Sequence, residues 1–60
     1  MDHFNRNELA IELRCIKGEL GDVLDGSRYL GLRRTAERVR KAIEEVNGAL
    51  DALLAESGKR

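Results

Sequence analysis

The chain has no proline and no tryptophan, and only one cysteine, one histidine and two aromatic residues in sixty. Each shortage removes a class of protein. Cys15 alone cannot close a disulfide within the chain, and Cys15 with His3 cannot complete a four-ligand zinc site. A small domain buries only about 60% of its unfolded surface and needs a disulfide, a metal or a partner to be secure. With the first two absent, self-association or unusually good helix packing is the expected support. No apolar run reaches the ~18 residues of a membrane span, and no charged-then-apolar leader opens the chain. A lone thiol suits a reducing compartment. The expectation is a cytoplasmic protein with a native start at Met1, no cofactor and no membrane contact.

What remains is a helix former's composition, rich in Leu, Ala, Glu and Arg. Leu, Ile, Val and Phe make up 16 of 60 residues, above the roughly one-fifth below which disorder is expected. Asn5 followed by Glu8 has the spacing of a capping box, with Phe4 placed to staple onto Leu9. Leu9, Leu13, Ile16, Leu20 and Val23 then form a heptad stripe, and Phe4, Ile11, Cys15 and Gly18 a weaker one. Tyr29, Leu32, Ala36, Val39, Ile43, Val46, Leu50 and Leu53 form a longer stripe, flanked by Thr35, Ala42 and Ala49 seven apart. The reading is an all-α antiparallel hairpin that self-associates into a bundle, a single domain over 1–60. It has a helix near 6–25, a turn at Asp25-Gly26-Ser27 and a helix near 28–56. Gly26 would take the left-handed cap and Ser27 would cap the second helix, while Gly18 and Gly21 would let a helix approach closely. Ser57-Gly58 would end the second helix, with Lys59 and Arg60 opposite its dipole.

Those lengths leave the second helix overhanging by about three turns of 5.4 Å. Its uncovered apolar residues would drive oligomerisation. The expected oligomer interface is Val39, Ile43, Val46, Leu50, Leu53 and Leu54.

Charge sums to zero but is segregated. Residues 1–26 carry six acids and three bases, residues 27–43 six bases and one acid, and residues 44–60 four acids and two bases. The basic block has two readings. Glu19, Asp22 and Asp25 can pair with Arg28, Arg33 and Arg34 across the hairpin, a weak surface effect that sets register. Alternatively, Arg28, Tyr29, Arg33 and Thr35, with Arg34 and Arg38 in support, form an anion site at a helix N-terminus. Tyr29 would then either cap the apolar stripe or offer a platform for a base.

No catalytic constellation is expected. His3 has no partner acid or nucleophile, Cys15 sits among apolar neighbours, and the glycines follow no strand.

The run Ser27-Arg28, Leu32, Thr35 is similar to an S-R-x-x-x-L-x-x-T stretch of small helical phage proteins that sequester cyclic-nucleotide immune signals, the anti-CBASS sponges. The resemblance spans nine residues with four identities. Ala36-Glu37-Arg38 follows it where those proteins have Lys-x-Glu. It implies a helical, oligomeric, non-enzymatic protein in the host cytoplasm, with nucleotide held at Arg28, Arg33 and Thr35. Two other functions fit the residues: a helical module that inhibits or adapts a partner protein, and an RNA-binding hairpin of the Rop kind. A pI near 6.6 argues against nucleic acid, whose binders are basic. The expected partners are therefore a second copy of the chain and either an anionic small molecule such as a nucleotide or a partner protein.

Overall fold

The computed structural model describes residues 5–57. Two helices, α1 (Arg6–Tyr29) and α2 (Arg33–Ser57), pack against each other as an antiparallel hairpin. The all-α hairpin read from the sequence is the fold. Asn5 caps α1 as its spacing predicts. Its side chain accepts from the Glu8 backbone N–H at 2.9 Å, and the Glu8 carboxylate accepts from the Asn5 N–H at 3.4 Å. Phe4 and His3 lie outside the described residues, as do Gly58, Lys59 and Arg60.

The turn is not at Gly26. Gly26 and Ser27 lie inside α1, and the connection is Leu30-Gly31-Leu32. Gly31 has φ +74°, a conformation that strains any residue with a Cβ. Its N–H donates to the Arg28 carbonyl at 3.0 Å, and the Leu32 N–H donates to the Ser27 carbonyl at 2.9 Å. These two bonds are the Schellman pattern, which satisfies the last carbonyls of a helix. Ser27 does not cap α2. Its hydroxyl donates back to the Val23 carbonyl at 2.9 Å, and it is the one buried residue among those described.

Moving the break five residues equalises the helices at 24 and 25 residues. Both then run close to 37 Å at ~1.5 Å per residue, so the expected overhang of α2 disappears. Equal lengths let each turn of one helix lie against the other, an advantage over a break at Gly26.

The facing stripe of α2 is the one read from the sequence: Ala36, Val39, Ile43, Val46, Leu50 and Leu53 are all half-buried. Tyr29 and Leu32 leave that stripe, because Tyr29 ends α1, 89% exposed, and Leu32 sits in the connection. On α1 the half-buried or buried residues are Ala10, Leu13, Leu20, Gly21, Leu24 and Ser27. Leu9, Ile16 and Val23, placed by periodicity on the same stripe, are 37%, 42% and 50% exposed. Gly18 and Gly21 do not serve close approach within the hairpin: a Cβ at either would meet no atom within 4 Å. Among the described residues no hydrophobic side chain is fully buried. No described helix is long and apolar enough to cross a membrane.

Candidate functional site

The connection decides where the basic residues go. Arg28 occupies the last turn of α1 and Arg33 the first of α2, so the reversal at Gly31 brings both to the same end of the hairpin. They border an open groove of about 500 Å³, whose walls are Arg28, Gly31, Leu32, Arg33, Ala36, Glu37 and Arg40. Three guanidinium groups and one carboxylate line it, with Leu32 and Ala36 as the apolar part.

Arg40 is already engaged. It donates to Glu37 at 3.0 Å and also to Glu44, one pair at i,i+3 and one at i,i+4 on α2. The hydrogen bond to Glu37, then the charges of Glu37 and Glu44, hold its pKa above the ordinary arginine value. Arg28 and Arg33 form no ion pair with a described residue. The pairing of Glu19, Asp22 and Asp25 with Arg28, Arg33 and Arg34 is not formed among these residues.

The start of α2 adds to the positive character. Leu32 precedes the helix and has no side chain that can accept from its first N–H groups, and no acid stands in its first turn. The Ala36 N–H reaches the Leu32 carbonyl at 2.9 Å and the Arg33 N–H reaches Gly31 at 3.1 Å. The first-turn amides of Arg34 and Thr35 have no such backbone acceptor. A helix start in this state favours negative charge.

Four residues were expected to share the site, and only two line the groove. Arg28 and Arg33 do. Tyr29 follows Arg28 by one position, about 100° round the helix, and stands out in solvent. Thr35 lies two residues after Arg33, about 200° away, a spacing at which helical side chains do not face each other. It is exposed on the opposite side of the hairpin. Arg34 and Arg38 are exposed and outside the groove. Two lining residues went unnoticed in the sequence: Glu37 and Arg40. Their i,i+3 spacing is a visible signal, but their place beside Arg28 depends on which glycine makes the turn.

Of the residues expected at an oligomer interface, Val39, Ile43, Val46, Leu50 and Leu53 are half-buried, and Leu54 is 63% exposed. Cys15 is exposed, against the apolar surroundings expected for it. No group of three or more His, Cys, Asp or Glu able to hold a metal occurs among the described residues.

No protein-family model matches the chain, and neither a curated protein nor a solved structure matches it.

Proposed function

We propose that this chain is a non-enzymatic binding protein whose working unit is an assembly of hairpins. One observation carries the reading: among the described residues no hydrophobic side chain is fully buried, while Leu9, Ile11, Ile16, Val23, Leu30, Leu32 and Leu54 stand 37–67% exposed. A two-helix layer has only one contact, and a stable domain needs its apolar faces covered. Stability should therefore depend on protein concentration. Sedimentation equilibrium and thermal melts over a hundredfold concentration range test this. A dimer or larger species with a rising melting temperature is expected. A folded monomer at micromolar concentration, melting independently of concentration, would overturn it.

A second reading concerns what the assembly binds, and the groove favours it. Arg28 and Arg33 flank an uncapped helix start and carry no paired carboxylate among the described residues, a combination suited to a phosphate or carboxylate. A nucleotide is the ligand class that the resemblance at 27–35 adds, and a host-defence signal its most specific form. A partner protein docking on the apolar surface is the competing reading. Calorimetric titration with mono-, di- and cyclic nucleotides separates them. Heat that survives physiological salt and is lost in Arg28→Ala and Arg33→Ala supports the anion site. No heat with any of these ligands removes it and leaves the interaction module.

A further inference from the structure

The exposed apolar residues are not scattered. Leu9, Ile16, Val23 and Leu30 recur every seven residues along α1, 37%, 42%, 50% and 67% exposed. A seven-residue repeat returns to nearly the same side of a helix, so the four form one line. The helix rotates about 100° per residue, which sets this line some 80° from the side that meets α2. On α2, Thr35, Ala42 and Ala49 also recur every seven residues, beside the half-buried Val39, Val46 and Leu53. The helices run in opposite directions, so their senses of rotation oppose when seen from one end. The same construction puts Thr35, Ala42 and Ala49 on the side of the hairpin that carries the α1 line. The groove of Arg28, Arg33 and Arg40 lies on the other side.

This face therefore has a row of large side chains beside a row of small ones. Counting ~1.5 Å of rise per residue from the connection, Val23 lies level with Val39, Ile16 with Val46 and Leu9 with Leu53. Thr35, Ala42 and Ala49 fall between those levels. Large side chains at heights midway between small ones are what knobs-into-holes packing needs from facing helices.

We propose that a second copy of this chain covers this face, related by a two-fold axis parallel to the helices, with both connections at the same end. The proposal rests on the self-association above and adds its geometry. Two-fold symmetry allows two ways to close the face. With the axis along the helices, α1 of each copy meets α2 of the other, so large rows enter small rows. With the axis across the helices, α1 meets α1 and α2 meets α2, setting large on large and small on small.

Near the connection, charge favours the same arrangement. The α1 edge beside the large row carries Glu8, Glu12, Glu19 and Asp22, and the α2 edge beside the small row carries Arg34, Arg38 and Lys41 toward the connection and Glu45 and Glu56 toward the far end. The first arrangement sets Asp22 and Glu19 beside Arg38 and Lys41 in the half of the edge near the connection, with Glu45 also within a turn of Glu19. The second sets the acidic α1 edge against its own copy, with Glu19, near the middle of the hairpin, closest to its counterpart. Area supports covering an exposed face, in either arrangement. The 60-residue chain as a whole exposes 5025 Å², where a compact monomer of 6.7 kDa exposes roughly 3900 Å². The excess exceeds the ~800 Å² that each partner contributes to a standard interface.

Cross-linking between singly substituted chains tests the geometry. Glu19→Cys and Glu45→Cys are each made with Cys15→Ser, which removes the native thiol. The two proteins are mixed, unfolded, refolded together and treated with a short bismaleimide. Same-end pairing places position 19 of one copy within a turn of position 45 of the other, so the mixed 19–45 product should dominate. Opposite-end pairing places each position near its own copy, and predominance of 19–19 and 45–45 products would overturn the proposal. So would capture of no dimer, with sedimentation of the same samples showing where the failure lies. A sedimenting dimer with the wrong products refutes the geometry alone, and a monomer refutes the self-association reading too. Ile16→Asp should lower dimer affinity at least tenfold, whereas Ile11→Asp, on the far side of α1, should leave it within a factor of about two.

Discussion

Gly26 and Gly31 are each placed to end a helix, and backbone conformation separates them. Gly31 holds φ +74°, where a Cβ costs about 1–2 kcal/mol. Gly26 is helical, and a Cβ added there would meet only open space, so alanine removes the ~1 kcal/mol that glycine costs a helix interior. Gly31→Ala should lower the melting temperature and Gly26→Ala should raise it, read by circular dichroism at one concentration. Asn5 is a second residue whose worth is local. Its capping box is formed, and Asn5→Ala should cost about 1 kcal/mol in the same melts. Ser27 shows how a residue's role changes with its neighbours: a cap by type, it bonds inside α1 because the chain continues helical past it.

The two helices are finished differently at their N-termini. α1 begins with a satisfied cap and an acid in its first turn, while α2 begins with Leu32 and no first-turn acid. Leu32→Asp supplies both missing features, since its carboxylate can accept from the first-turn amides and opposes the dipole. The substitution should stabilise the hairpin by about 1 kcal/mol. It also brings a negative charge to the groove of Arg28 and Arg33. Any nucleotide affinity measured there should fall while the melting temperature rises. Affinity and stability moving together instead would mean that the groove is not where the anion sits.

At the scale of the whole molecule the hairpin has two unlike sides. One carries the rows Leu9, Ile16, Val23, Leu30 and Thr35, Ala42, Ala49, and the other carries the arginine groove. The paired assembly proposed above leaves both grooves open at one end, so occupancy of the groove and assembly of the hairpins should be separable. Arg28→Ala is expected to change the sedimentation coefficient negligibly. Ile16→Asp is expected to make the melt shallower and the protein easier to unfold at low concentration, because an aspartate replaces an apolar contact between chains. A sharp, concentration-independent melt of Ile16→Asp matching the unsubstituted protein would contradict that division of labour.

The sequence by itself determined the two helices, the capping box at Asn5 and Glu8, and the facing stripe of α2 from Ala36 to Leu53. These follow from local propensity and an unbroken heptad, which need no knowledge of distant residues. The position of the turn was not legible, because Gly26 and Gly31 satisfy the same local rules. Only packing chooses between them, by favouring two helices of equal length over one that overhangs. That choice moved Arg28 and Tyr29 from the start of α2 to the end of α1, and with it reshaped the site. Arg28 and Arg33 share a groove, whereas Thr35 lies on the far side of α2 from Arg33. The α1 stripe was legible as a period but not as an assignment. Leu13 and Leu20 are half-buried while Leu9, Ile16 and Val23 are more exposed, because an apolar stripe wider than one contact is divided by the direction from which the second helix arrives.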